Sequence, residues 1–234
     1  YAGIRKKKNL VQAVIFDFDG TMADFEETDT ECLKLILRKT GAEANTDSFV
    51  AMAVEHIIHF HGLVDSDEID PLTLHQYRLS KTFRDFGILW DDSYVDTYKD
   101  LLLERTLPYQ GIEEILKTLS GKTKLGILTN AYDPVLQMKR IRATGLADYF
   151  KEIQISGEEK YSKPDPRAFK IIADKLGVDP KKCIFIGDSM KYDIEGALAA
   201  GMQAVHIKPG TDKAEHSPAM SIDQVKSMLG EKIA

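Results

Sequence analysis

Five short runs rich in β-branched residues, at 13–18, 124–129, 152–156, 183–186 and 203–207, constrain this chain more than any other feature. Each is closed within a residue or two by Gly, Asp, Asn or Pro. Stretches such as Val14-Ile15-Phe16 and Ile184-Phe185-Ile186 are continuously apolar. A strand buried on both faces reads that way, and such strands belong to parallel sheets. From the second run onward, helical segments alternate with the strands. Asp133-Pro134 opens one and Gly145 closes it; Asp165-Pro166 opens the next and Gly177 closes it; Asp193 to Ala200 forms a third, closed by Gly201. The alternation predicts an α/β fold, a Rossmann-like, doubly wound parallel sheet with right-handed crossovers.

The pattern breaks once. Between Thr21 and Pro108 there is no convincing strand; instead, apolar spacings of three and four predict helices over 28–40, 46–60, 71–86 and 92–105. Gly41, Gly62 and Gly87 stand where helix stops are expected. The division predicted is a sheet core over 1–21 and 108–234 with a helical cap inserted over 22–107. The length of 234 residues, against a prior of roughly 150 per domain, suits one core plus an insert.

Ligands of an open parallel sheet bind beyond the carboxyl ends of its strands. The first strand runs into Asp17-Phe18-Asp19-Gly20-Thr21, the second into Thr129-Asn130, the third into a loop with Lys163-Pro164, and the fourth into Gly187-Asp188-Ser189, with Asp193 just after. Strand alternation aims Asp17 and Asp19 to one side before Gly20 turns the chain. Two carboxylates so placed repel unless a cation or shared proton intervenes. A bound Mg²⁺, which prefers carboxylate and carbonyl oxygen, resolves the conflict, with Asp188 as a third oxygen ligand. An EF-hand loop starting at Asp17 needs Gly and Glu where this chain has Met22 and Thr28, and neither a P-loop nor a dinucleotide fingerprint is present.

These four strand-end motifs, in this order, resemble those of the haloacid dehalogenase-like hydrolases. The position of the helical insert, between the first and second motifs, matches the family's cap. Ala131 departs from the pattern, since many relatives carry Gly there. The resemblance implies a Mg²⁺-dependent phosphomonoester hydrolase working through an aspartyl-phosphate. Asp17 is expected to attack phosphorus, and Asp19 to protonate the leaving alcohol and then deprotonate the hydrolytic water. Mg²⁺, Lys163, the Thr129 hydroxyl and the Asn130 amide would share the stabilisation of charge. The metal would be held by Asp17, Asp188 and, as the family implies, the backbone carbonyl of Asp19. Asp193 reads equally as a helix N-cap and as a ligand; support of the ligands from behind reconciles the two.

Other readings remain within and outside the family. A haloacid dehalogenase needs no proton donor at Asp19, so that residue favours phosphate. A phosphonoacetaldehyde hydrolase would need a cap lysine, and there is none between Lys39 and Lys81. A sugar-phosphate mutase would need a cap able to hold a second phosphate, and no basic cluster is recognisable there. A non-catalytic Mg²⁺ and phosphate-binding module is the alternative outside enzymology. The Thr-Asn motif, the run at 156–158 and Gly-Asp-Ser look most like the branch containing nucleotide phosphatases and acylneuraminate phosphatases. A sugar phosphate, a nucleoside monophosphate or a small phospho-acid is the expected substrate class.

Lys and Arg number 31 against 37 Asp and Glu, a net charge of −6, which opposes a nucleic-acid partner. Arg5, Lys6, Lys7 and Lys8 precede an apolar stretch, but Gln12 and Asp17 interrupt it, so the run reads as a solvated tail. No stretch approaches a membrane span. A cytoplasmic monomer or homodimer is expected. Cys32 and Cys183 fit no disulfide or metal spacing and read as small buried hydrophobes. In the cap, His56, His59 and His61 read as ordinary histidines rather than a metal site. Tyr77, Phe83 and Phe86 have the spacing of cap core. Arg78, Lys81 and Arg84 read as a solvated helix face.

Overall fold

The computed structural model of the protein describes residues 11–66, 68–209 and 219–233. The basic run of Arg5, Lys6, Lys7 and Lys8 lies outside the described residues. Five strands form one sheet: β1 (Ala13–Phe16), β2 (Lys124–Thr129), β3 (Glu152–Ile155), β4 (Cys183–Gly187) and β5 (Gln203–His206). Their order is β3-β2-β1-β4-β5 and every pairing is parallel. β1 and β4 are buried at every position, as their unbroken apolar runs require. Phe16 lies opposite Ile127 of β2 and Ile186 of β4, so the strand ends come level where the polar residues begin.

β1 ends two residues sooner than its hydrophobic pattern suggests. The Asp17 amide still donates to the Ile186 carbonyl (2.9 Å), but the chain then folds back. The amides of Met22 and Ala23 both donate to the Phe18 carbonyl (2.8 and 3.1 Å). Gly20 permits this with a φ of +76°, in the left-handed region.

Beneath the sheet, α7 (Pro166–Leu176) begins at Asp165, whose carboxylate accepts the Arg167 amide (2.9 Å), with Pro166 in the first turn. It buries Phe169, Ile172 and Leu176; the last two reach within 3.1 and 3.2 Å of where Gly126 of β2 would carry a Cβ. α5 (Ile112–Leu119) buries Ile112, Ile115, Leu116 and Leu119 on one stripe. Cys32 and Cys183 are both buried, and desolvation pushes their thiols up to about 12 and about 11, the inert behaviour expected of small hydrophobes.

The chain divides into two compact units. One contains the described residues up to Asp24, Leu107–Pro134 and the described residues from Thr144 onward; the other contains the described residues of Phe25–Thr106 and Val135–Ala143. The second is wholly helical: α1 (Phe25–Thr40), α2 (Thr46–Asp65), a 3₁₀ turn at Pro71–Thr73, α3 (Leu74–Asp85), α4 (Ser93–Arg105) and nearly all of α6 (Pro134–Ala143). Sequence spacing assigned α6 to the sheet core. Its Leu136 packs instead with Leu33, Ile36, Phe49, Phe83 and Leu102 of the helical unit. There too the Arg140 guanidinium lies 4.8 Å from the Phe25 ring centroid and donates to the Thr106 hydroxyl (3.2 Å). Periodicity announces that a helix buries a face; it does not name the partner.

Gly62 fails to stop α2, which continues to Asp65, and residues 71–73 form the 3₁₀ turn rather than the start of α3. Phe83 and Phe86 are core as expected, edge-on to Phe49 at 5.3 and 5.4 Å. Arg78 overturns its expected place on a solvated face. It is fully buried, grips both oxygens of Asp29 (2.8 and 2.7 Å) and donates to the Ala53 carbonyl (2.8 Å), while the Tyr98 hydroxyl donates to Asp29. His56 is likewise buried, its Nδ1 2.8 Å from the Thr82 hydroxyl and its Nε2 3.0 Å from Asp85, whereas His59 and His61 are exposed. No described helix is long and apolar enough to cross a membrane.

Candidate active site

The residues beyond the strand ends meet at the carboxyl edge of the sheet. Asp17 follows β1, Thr129 ends β2, Lys163 sits in the loop that leads into α7, and Asp188 follows β4. Asp193 comes from a wide, π-type helical turn at Met190–Glu195, capped by the Ser189 hydroxyl, which accepts the Tyr192 amide (3.2 Å). Asp193 is therefore inside that turn, not at its N-cap, and its carboxylate reaches the Ser189 amide and the Lys163 ammonium.

Lys163 is the hub. Its ammonium lies 2.7 Å from Asp17 Oδ1 and 2.6 Å from Asp193 Oδ1, and the lysine is only 4% exposed. Asp17, Asp188 and Asp193 each bring a carboxylate oxygen within 4.8 Å of the others. Two buried acids share one ammonium, and a third, half-buried, stands beside them. Desolvation pushes the Asp17 carboxyl up to about 8; Lys163 opposes this and Asp193 adds to it. The Asp188 carboxyl is also raised, first by burial and then by Asp193. Lys163 is raised in turn, its two acid partners outweighing its burial. This donor set, hard oxygens with an excess of negative charge, fits a divalent cation such as Mg²⁺.

The converging acids are Asp17, Asp188 and Asp193; the Asp19 carboxylate is not among them. β1 ends at Phe16, Asp17 keeps one last backbone bond to Ile186, and the chain folds back after it, so strand alternation does not extend to Asp19. Thr129 is buried at its strand end, opposite Ile155. The Asn130 carboxamide makes a two-point clamp on the backbone of Lys163, donating to its carbonyl (2.9 Å) and accepting its amide (3.0 Å). The first task of that side chain is thus to hold the lysine. The Lys163–Pro164 peptide is cis.

Further residues support the site, most of them lying within the motifs quoted above but given no role by the sequence, and His206 outside them. The buried Thr21 hydroxyl donates to Asp188 Oδ1 (3.1 Å). The Ser189 amide donates to Asp193 Oδ2 (2.9 Å), and His206 Nε2 lies 2.8 Å from the Asp188 carbonyl. Ser156 Oγ accepts the Ala131 amide (3.1 Å), which anchors the loop after β2. Glycines make room for these approaches. A Cβ at Gly187 would sit 2.5 Å from Asp193, one at Gly20 2.6 Å from Asp188, and one at Gly157 2.8 Å from the Ala131 carbonyl. The last explains why the run at 156–158 reads Ser-Gly rather than any two polar residues.

A parallel sheet with this order, an acid after its first strand, and a lysine and further acids at neighbouring strand ends define a hydrolase site. The chain belongs to the haloacid dehalogenase-like hydrolase family, whose sequence profile matches residues 11–201. Among its relatives, N-acylneuraminate-9-phosphatase of Mus musculus is 29% identical over 202 residues, 83% of this chain and 81% of that one. Pyrimidine 5'-nucleotidase PynA of Streptococcus pneumoniae is 27% identical over 202 residues, 84% of this chain and 83% of that one. The fold is also that of the HAD-hydrolase YfnB of Bacillus subtilis, a magnesium-bound crystal structure, with a TM-score of 0.75 at 21% identity, covering 96% of this chain and 100% of that one. A defluorinating L-2-haloacid dehalogenase superposes equally well, TM-score 0.75 at 20% identity, over 94% of this chain and 95% of that one. The fold therefore does not separate phosphatase from dehalogenase.

Proposed function

We propose that this enzyme is a Mg²⁺-dependent phosphomonoester hydrolase acting on a small phosphorylated metabolite. The carrying observation is the excess of acid at the hub: Lys163 satisfies Asp17 and Asp193 together, and Asp188 adds a third carboxylate that no lysine or arginine bridges in the described residues. A cation belongs in such a site, and a cation beside an ammonium admits a dianionic phosphate. Asp17, Asp188 and the Asp19 carbonyl would hold it, and when bound it neutralises phosphoryl oxygens.

In the reaction, a carboxylate oxygen of Asp17 attacks phosphorus as the ester P–O bond breaks. Asp19 gives its proton to the departing alkoxide, leaving an aspartyl-phosphate on Asp17. Water then attacks phosphorus, Asp19 takes back a proton, and inorganic phosphate leaves as the Asp17 carboxylate is restored. Lys163 and Thr129 stabilise charge on the transferred group, and Asp193 and Asn130 hold Lys163 in place. The presence of Asp19 supports phosphate over haloacid, because a carboxyl–halide displacement has no alcohol to protonate.

The curated relatives act, by name, on a sialic acid phosphate and on pyrimidine nucleotides. Sugar phosphates, sugar-acid phosphates and nucleoside monophosphates are accordingly the first substrates to try, with the helical insert proposed as the element that chooses among them. A soluble metabolite as substrate goes with a cytoplasmic monomer or homodimer. The test is phosphate release across a panel of phosphate esters, with and without Mg²⁺, beside Asp17→Asn and a 2-haloacid control. Release that needs both Mg²⁺ and Asp17 is expected; halide release without phosphate release would overturn the reading.

A further inference from the structure

The peptide joining Asp188 to Ser189 is gripped at both ends. Its N–H donates to Asp193 Oδ2 (2.9 Å) and its C=O faces His206 Nε2 (2.8 Å). A carbonyl oxygen only accepts, so Nε2 carries the hydrogen. β5 delivers this imidazole through its register, with Gly187 directly opposite His206, and the Ile207 amide donates to the Gly187 carbonyl (3.0 Å). The other ring nitrogen, Nδ1, is buried with no hydrogen-bond partner among the described residues. A buried nitrogen left unpaired is a cost that an apolar side chain of similar volume would avoid. Packing alone therefore does not explain a histidine here; the donation from Nε2 does.

We infer that His206 is a positioning residue for divalent-cation binding: it fixes the Asp188–Ser189 peptide plane so that the Asp188 carboxylate stays in the acidic cluster. The inference rests on the proposed metal role of Asp188. The chain of contacts continues from that peptide to Asp193, then Lys163, then Asp17, so one peptide orientation serves both the cation side and the lysine side of the site. Partners standing behind metal ligands typically contribute about 10- to 100-fold in metal affinity.

Gln places its amide nitrogen where histidine has Nε2, whereas Met fills the volume without a donor. Mg²⁺ binding measured by calorimetry, without substrate, is expected to weaken about tenfold in His206→Met and to recover to within about threefold of the parent in His206→Gln. In the metal-free protein, hydrogen exchange at the Ser189 amide is expected to be faster in His206→Met than in the parent and restored in His206→Gln. Should His206→Met fail to fold, His206→Asn, a carboxamide too short to reach, replaces it with the same expectations. Equal Mg²⁺ affinity in all variants would overturn the role in cation binding, and so would weakening by Gln equal to that by Met. Unchanged Ser189 exchange in the variant without the donor would overturn the pinning itself. A parent protein that binds no Mg²⁺ would sink the metal reading instead, and the exchange measurement would still judge His206.

Discussion

In the helical unit, the buried Arg78 meets the buried Asp29 through two hydrogen bonds, with Tyr98 and the Ala53 carbonyl completing the set, so charge and hydrogen bonding close on themselves. In the sheet unit, the buried Lys163 meets Asp17 and Asp193 while Asp188 stands beside them, so acid exceeds base. Both clusters remove ions from water, at a desolvation cost of several kcal/mol per ion. The difference is completeness. A closed cluster holds helices in one arrangement and has nothing left to offer a ligand. An open one retains negative charge that an external cation satisfies, and it lies where β1 and β4 end. Burial of charge alone does not identify a site; unbalanced burial at a sheet edge does.

The comparison breaks first at Asp17. Asp17→Asn is expected to reduce phosphate release on the order of 10⁴-fold or more, since the nucleophile is lost. The same variant is expected to melt above the parent at neutral pH in the metal-free protein. The sign follows from the raised carboxyl: a group whose folded pKa is about 8 against an ordinary 3.8 favours folding when protonated, and that stability is lost as pH rises from about 4 through 8. The gap between variant and parent should therefore vanish near pH 4 and widen toward pH 8. A variant that melts below the parent across that range would show that the sheet cluster, like the helical one, is balanced in the free protein.

Next comes the closed cluster. Asp29→Leu leaves the Arg78 guanidinium buried without its partner and is expected to destabilise the protein by about 3–5 kcal/mol, read by denaturant unfolding. The double variant Asp29→Leu with Arg78→Met should recover much of that loss, because a pair replaced by apolar side chains removes both desolvated charges. Lack of recovery would mean that Arg78 is held mainly by Ala53 and Tyr98. Tyr98→Phe is a smaller perturbation, expected to cost about 1–2 kcal/mol through the lost hydroxyl contact to Asp29.

The smallest expected effect concerns His56. Its burial and the nearby Lys81 hold its pKa below the ordinary 6.5, against the opposing pull of Asp85. A histidine depressed in the folded state contributes stability that is present above the ordinary value and lost as pH falls below it. The parent should lose stability between pH 7 and 5 relative to His56→Gln, measured by thermal melting. A loss of the same size in both would assign the acid sensitivity elsewhere.

Much of this was legible in the chain itself. Continuous apolar runs such as Val14-Ile15-Phe16 announce strands buried on both faces, and the Asp-Pro openings and Gly closures bound α7 closely. Asp17, Lys163, Asp188 and Asp193 could be singled out because chain order and sheet topology oblige strand ends to meet. Arg78 could not be placed, because a helical arginine has the same local signature whether it faces water or a buried aspartate 49 positions away. His206 carried no signal either: it ends an ordinary strand, and only the register opposite Gly187 brings it to Asp188.

The sequence by itself thus determined the five strands, most of the helices and the chemical groups at the strand ends, because these depend on periodicity, turn chemistry and local order. The tertiary structure decided which groups touch. It placed α6 with the helical unit, drew Asp193 rather than the Asp19 carboxylate into the cluster, committed the Asn130 carboxamide to Lys163, and set His206 behind Asp188. Those outcomes turn on ångström-scale distances between residues far apart in the chain, which local patterns do not encode.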